Sequence, residues 1–143
     1  MQPKVMDLCL YRLEKSREEL KAAQVLLKEN LYSQSLNRSY YAIFHAVRAL
    51  FALDQFETRK HSGLISYFNK YFVAEGIFNK EYSKILIRAE RVRNKSDYRD
   101  FYVVSRDVAA EQIENAEKFI REMDEFIKRK LINHENRDNI EPD

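Results

Sequence analysis

The chain is poor in the residues that make tight turns. Its 143 residues include two glycines and two prolines, whereas the pair averages roughly 12% of a typical protein. All-β sandwiches and barrels need many tight turns, so the composition excludes them. The two glycines, Gly63 and Gly76, lie too far apart to form a glycine-rich phosphate loop, which excludes Walker and Rossmann nucleotide sites.

Cysteine and long apolar runs are also scarce. The single cysteine, Cys9, excludes an internal disulfide framework and a cysteine-cluster metal site. The longest stretches without Asp, Glu, Lys or Arg, such as residues 39–47, have nine residues, and a membrane-spanning helix needs about 20. The first seven residues meet charged side chains too early for a secretory signal. We therefore expect a cytoplasmic protein. Its net charge of +2 indicates no particular partner.

Apolar residues recur at helical spacing along nearly the whole chain. The pattern predicts an all-α bundle of about five helices within a single domain. Pro3 suits the first turn of the first helix and Asn30 its end, while Gly76 suits the end of the third. Side chains that can cap the second, fourth and fifth helices are Ser33, Asn79 and Ser105. Residues 96–104 break the helical pattern.

The sequence divides into a helical bundle and a short tail. Residues 1–132 carry the apolar repeats, whereas residues 133–143 are polar and acidic. Such a composition buries little apolar surface, so the tail is predicted to be disordered. Large aromatic side chains beside fully formed apolar stripes predict a dimer through the first two or the last helices, because one small core leaves some of them uncovered. These side chains are Phe44, Phe51, Phe119 and Phe126.

Basic residues form a stripe on the predicted fourth helix at steps of three and four: Lys80, Lys84, Arg88, Arg91 and Lys95. The stripe can follow a phosphate backbone, or its charges can pair with neighbouring helices. Arg93 lies off this stripe, on the apolar side, so its guanidinium should point towards another helix. An arginine there needs a partner, because burying an unpaired charge is costly. The partner is either Asp97, one turn on, or a phosphate bound from solution.

Two further places could bind an anion. On the second helix, Arg38, Tyr41, His45 and Arg48 share one polar face by their spacing. They could line a groove that binds phosphates and stacks bases, or His45 could be satisfied at the edge of the core. Residues 60–62, Lys60-His61-Ser62, begin the third helix, where free backbone N–H groups favour an anion. Glu57 and His61 are one turn apart, but this spacing alone indicates no metal site.

Four blocks of the sequence resemble the HEPN domain (higher eukaryotes and prokaryotes nucleotide-binding). They are residues 38–46 (RSYYAIFHA), 60–63 (KHSG), 72–76 (FVAEG) and 93–98 (RNKSDY). The resemblance extends from about residue 5 to residue 130. It implies an up-and-down helical bundle that dimerises, and a partner that is a minimal nucleotidyltransferase in a toxin–antitoxin-like pair. It implies no cofactor.

Active members of the family are metal-independent RNases with a histidine four to six residues after a motif arginine. Here Arg93 and Asn94 fit the motif and Tyr98 fits its end, but Asp97 stands near the place of the histidine. At an ordinary pKa a carboxylate is a poor proton donor at neutral pH, and it repels phosphate. Residues 93–98 resemble a branch of the family with Asp-Tyr at this place. Whether the chain is an enzyme stays open at this point.

The sequence thus predicts a small homodimeric protein that binds a nucleotide or RNA phosphate near Arg93. The predicted binding residues are Arg93, Asn94, Asp97, Tyr98, Arg38, Tyr41, His45, Lys60 and His61. One alternative is an RNase toxin that uses a relocated histidine, His45 or His61, beside Arg93. Another alternative is a non-catalytic dimerisation module without a ligand.

Overall fold

Five α-helices make up the fold, seen in a computed structural model that describes the backbone of residues 2–140 and the side chains of residues 2–137. They are α1 (Pro3–Lys28), α2 (Tyr32–Leu53), α3 (His61–Phe68), α4 (Lys80–Tyr98) and α5 (Arg106–Ile140). A π-helical turn, Asn69–Val73, continues α3. The described residues contain no strand, and the predicted all-α bundle is confirmed. Among these helices none is long and apolar enough to cross a bilayer.

Helix α2 is the central element, because α1, α4 and α5 all pack against it. Small residues recur along it and are fully buried: Ser35, Ser39, Ala42, Ala46 and Ala49. Two hydroxyl groups tie α2 to α1. Ser16 Oγ donates to the carbonyl oxygen of Ala42 at 2.6 Å, and Ser35 Oγ donates to that of Ala23 at 2.8 Å. Small side chains therefore let the two backbones approach closely.

Aromatic rings fill the core where α2, α3, α4 and α5 meet. Phe51, Phe68 and Phe119 are essentially inaccessible to solvent, and the rings of Phe68 and Phe119 lie 5.9 Å apart between centroids. Phe44 and Phe126 are partly buried against the same core. A single bundle thus covers most of this aromatic surface. The prediction that one small core leaves these aromatic side chains uncovered is therefore wrong for Phe51 and Phe119.

Helix ends agree with the sequence at most predicted positions. Asn30 has a left-handed φ of 62° just after α1. Asn79 accepts a hydrogen bond from the Glu81 N–H, and Ser105 Oγ accepts one from the Val108 N–H at 3.1 Å. The cap predicted at Ser33 was wrong, since α2 begins at Tyr32 and Leu31 precedes it without a side-chain cap.

Two boundaries lie further along the chain than predicted. Helix α4 continues to Tyr98, because Asp97 pairs with Arg93 one turn earlier and holds the last turn. Helix α5 runs to Ile140, past the point at which disorder is predicted. Leu131 is 6% exposed and His134 is partly buried, so the buried side of α5 extends beyond residue 132. Residues 141–143 of the predicted tail lie outside the described residues.

Candidate functional site

Arg93 points inwards from α4 towards α2, as its place in the sequence predicts. Its side chain is 14% exposed. The guanidinium carbon lies 4.7 Å from the ring centroid of Tyr40 and 5.4 Å from that of Tyr41. Cations are attracted to the faces of aromatic rings at such distances. Two adjacent tyrosines of α2 therefore fix the position of this one cation.

Hydrogen bonds use two of the three guanidinium nitrogens. Arg93 Nε donates to Asp97 Oδ2 at 3.1 Å, and Nη2 donates to the Tyr41 hydroxyl at 3.3 Å. Within the part of the chain whose side chains are described, Nη1 has no hydrogen-bond partner. The pairing of Arg93 with Asp97 that the sequence predicts is present. The binding of a phosphate by Arg93 stays a prediction.

His61 reaches the same place from the first turn of α3. The Tyr40 hydroxyl and the His61 imidazole form a hydrogen bond, and the Phe44 ring lies 5.8 Å from the imidazole between centroids. Tyr40 therefore contacts both Arg93 and His61. Although far apart in sequence, these two predicted site residues are neighbours of one tyrosine.

His45 lies one turn beyond Tyr41 on α2, with its ring 6.3 Å from that of Tyr41. Burial lowers the pKa of its imidazole below the ordinary value of 6.5. Positive charges lower this pKa further, and they belong to Lys15, Arg48, Arg12 and Arg38. At neutral pH the imidazole is therefore uncharged, and its surroundings have a positive potential.

Carboxylates balance part of this charge. Glu57 pairs with Arg12 at 2.6 Å and with Arg48 at 3.0 Å. Burial raises the pKa of the Glu57 carboxyl, but hydrogen bonds from both arginines outweigh it, so the pKa lies below its usual value. Glu19 pairs with Arg38 at 2.8 Å. Both arginines of the polar face predicted on α2, Arg38 and Arg48, are therefore already held by ion pairs.

Arg38 also contacts the ring of Tyr41. Its guanidinium carbon lies 5.1 Å from the Tyr41 ring centroid. Arg38 and Asp97 together line a depression of about 570 Å³ beside the first turn of α2. Tyr41 therefore lies between two arginines, Arg38 of its own helix and Arg93 of α4.

Other predicted residues lie elsewhere. Asn94 and Tyr98 line a separate groove of about 490 Å³ on another side of α4, together with three basic residues. Lys60 precedes α3 and is exposed. Of the basic stripe on α4, Arg88 is bound by Glu111 through two hydrogen bonds, at 2.5 Å and 3.0 Å. The stripe is therefore not one continuous free surface.

Sequence reasoning missed Tyr40 as a site residue. Its position in the apolar repeat of α2 indicated a core side chain, and it is indeed 3% exposed. Its hydroxyl and its ring face still reach His61 and Arg93. A signal was available, because a buried tyrosine needs a partner for its hydroxyl. Within the described residues, no cluster of three or more His, Cys, Asp or Glu side chains could hold a metal ion.

Comparison with known proteins finds relatives over most of the chain. A protein of Methanocaldococcus jannaschii, named as a candidate toxin, is 36% identical over 117 residues, which cover 82% of this chain and 81% of that protein. A UPF0332 protein of Thermotoga maritima is 33% identical over 117 residues, covering 82% and 89% respectively. A second protein of Methanocaldococcus jannaschii named as a candidate toxin is 25% identical over 137 residues, covering 92% and 93%. The family model for the HEPN domain matches residues 10–127. The resemblance noted in the sequence is thereby confirmed, and the chain belongs to the HEPN domain family.

Proposed function

We propose that this HEPN protein binds the phosphate of a nucleotide or RNA at Arg93. The proposal rests on one observation: the Arg93 guanidinium is held in a fixed position and still has a donor without a partner in the part of the chain that the structure describes. Tyr40 and Tyr41 hold it in place, while Nη1 keeps a free donor among the described residues. A planar guanidinium is well suited to phosphate oxygens. Because the group is already positioned, little conformational freedom is lost when the anion binds.

The surroundings support this assignment. Arg12, Lys15, Arg38 and Arg48 all lower the pKa of His45, which means that their fields converge on the face of α2 next to Tyr41. A positive face of this kind attracts a polyanion and raises its local concentration. Carboxylates offset part of this charge, since Glu57 pairs with Arg12 and Arg48, Glu19 pairs with Arg38, and Asp97 pairs with Arg93. Lys15 forms no ion pair among the described residues, so these pairs leave some positive charge unbalanced.

Titration of AMP and of a short single-stranded RNA into the wild type and Arg93→Ala tests the proposal. Loss of a charge-assisted hydrogen bond is worth about 1.5–3 kcal/mol, so the affinity should fall roughly tenfold or more. Arg88→Ala is the matched control, since Arg88 lies on the same helix and pairs with Glu111 at the surface. It should leave the affinity within about twofold. If Arg93→Ala lowers the melting temperature and leaves both affinities unchanged, Arg93 only clamps Asp97.

A metal-independent RNase is the second candidate function, and the contact of Tyr40 with both Arg93 and His61 favours it. In such an enzyme the histidine moves protons and the arginine stabilises phosphate charge. The test is RNA cleavage in the presence of EDTA. Loss of cleavage in both His61→Ala and Arg93→Ala, with His45→Ala still active, supports this function. No cleavage by the wild type rejects it.

We further propose that the protein acts as a homodimer with a minimal nucleotidyltransferase partner, in a toxin–antitoxin-like pair. The toxin names of two relatives support the toxin part of this proposal, whereas the dimer and the nucleotidyltransferase partner are what the family implies. Expression of the chain alone should arrest growth of a bacterial host, and coexpression of the nucleotidyltransferase should restore it. Arg93→Ala should be harmless to the host. Normal growth with the wild-type chain alone contradicts a toxic role.

A further inference from the structure

The segment between α4 and α5 presents apolar side chains to solvent although it is firmly anchored. Tyr102 and Val104 point inwards and pack with Leu36 and Val92 in a small core of their own. The side chains that alternate with them point outwards: Phe101 is fully exposed and Val103 is 85% exposed. Since the inward residues fix the backbone, this exposure is not the result of a loose loop.

Phe101 also has an unusual backbone conformation. Its φ is 61°, in the left-handed region that bulky residues rarely adopt. The chain thus holds an exposed aromatic ring at a position where glycine or asparagine would be less strained. Conformations of this kind tend to occur at functional sites, where the strain has a use. Neither burial nor local geometry accounts for a phenylalanine here.

A groove on another side of α4 ends at Arg99, two residues before Phe101 in the sequence. It is lined by Arg91, Asn94, Lys95, Tyr98 and Arg99, with no carboxylate among them. The three basic side chains form no ion pair within the described part of the chain, in contrast to Arg88 and Arg93 on the same helix. Tyr98 is 74% exposed. Three cations without ion pairs therefore line the groove together with the exposed ring of Tyr98. The exposed ring of Phe101 follows two residues after Arg99, with the carboxylate of Asp100 between them in the sequence.

We infer that this surface binds single-stranded RNA, whose unpaired bases stack on Tyr98 and Phe101 while Arg91, Lys95 and Arg99 contact the phosphates. Exposed rings and free cations side by side are the two elements of a stacking platform for single strands. The inference rests on the proposed phosphate site and extends it. Asn94 follows Arg93 directly and lines the groove, and Tyr98 is about 7.5 Å from Arg93 along the helix axis. This axial distance is within the length of a strand of a few nucleotides.

Fluorescence titration with a single-stranded RNA of about eight nucleotides, compared with AMP, tests the inference. Phe101→Asn removes the ring and suits the left-handed backbone, so the fold is kept. We expect roughly tenfold weaker RNA binding in this variant and in Tyr98→Ala, with unchanged AMP binding. Phe101→Tyr keeps a ring and should bind RNA like the wild type. Tyr71→Ala is the control, because Tyr71 is a 44% exposed ring on a different element.

The salt dependence gives a second readout. Arg99→Gln removes one phosphate contact, so the slope of log K against log salt should become shallower by about 0.7. Wild-type RNA affinity in Phe101→Asn overturns the inference. So does a change of sedimentation in this variant without loss of RNA binding, since the ring then contacts a second copy of the chain.

The two proposals fail in different ways. If Arg93→Ala weakens AMP binding but Phe101→Asn and Tyr98→Ala leave RNA binding unchanged, the phosphate site stands and the stacking surface is wrong. If RNA binding depends on Phe101 but neither ligand responds to Arg93→Ala, the stacking surface stands and the phosphate site is wrong.

Discussion

Tyr40 lies between Arg93 and His61 and contacts both. Its ring centroid is 4.7 Å from the guanidinium carbon, and its hydroxyl forms a hydrogen bond with the imidazole. One buried side chain of α2 thus couples a residue of α4 to a residue of α3. The ring positions the cation and the hydroxyl positions the histidine, so separate substitutions can remove each contact.

Tyr40→Phe should separate these two contacts. The variant keeps the ring beneath Arg93 and loses the hydrogen bond to His61. We expect AMP affinity within about twofold of the wild type and a free energy of unfolding lower by about 1 kcal/mol. Tyr40→Leu removes the ring as well and should weaken AMP binding. Titration and urea unfolding of both variants check this, and equal AMP affinity in the two variants contradicts a positioning role for the ring.

His45 should make the stability of the fold fall as the solution becomes mildly acidic. Its pKa in the folded protein lies below the ordinary value of 6.5. Below pH 6.5 the unfolded chain therefore binds a proton that the folded chain does not, and stability decreases with falling pH. Above pH 6.5 the imidazole is largely uncharged in both the folded and the unfolded chain, so His45 does not lower the stability there. Melting temperatures between about pH 5 and pH 8 should fall towards acid in the wild type and be flatter in His45→Gln.

Two carboxylates, Glu57 and Glu111, should also change the melting temperature with pH, but in a more acidic range than His45. The pKa values of Glu57 and Glu111 lie below the ordinary 4.5, because arginines hydrogen-bond to the charged forms and outweigh burial. Their stabilising contribution is present above pH 4.5 and is lost as pH falls below it. The two effects therefore occupy different pH ranges. An identical pH profile in His45→Gln and the wild type contradicts the assignment to His45.

The sequence predicts the helices well because their determinants are local. The three-and-four spacing of apolar residues and the caps at Asn79 and Ser105 act within a few residues of the chain. The site is harder to predict, since it depends on how helices pack. That Arg93 points inwards follows from its spacing, but its contact with Tyr40 depends on the approach of α4 to α2. His61 is predicted beside Arg93 only as one of two candidate histidines, since the linear sequence does not show which of the two lies closer.

Ala46 should tolerate no larger side chain. It is fully buried on α2 in the row of small residues that packs closely against neighbouring helices. Ala46→Leu adds volume in a packed interior, and we expect a loss of about 1–3 kcal/mol in the free energy of unfolding. Ala74→Leu is the control, because Ala74 is exposed in the turn before α4. Urea unfolding measures both. Equal stability of the two variants contradicts close packing at this row.

The dimer is predicted through the first two or the last helices, and exposed apolar residues of α1 and α5 give the positions at which to test it. Leu8 is 37% exposed and Tyr11 is 59% exposed on α1, whereas Ile132 is 56% exposed on α5. A negative charge inside a symmetric apolar interface meets its own copy and is desolvated, so it should dissociate the dimer. Sedimentation at micromolar concentration should show a dimer for the wild type. A monomer for Leu8→Glu with a dimer for Ile132→Glu assigns the interface to α1, and the reverse assigns it to α5. A wild-type monomer at this concentration rejects the dimer.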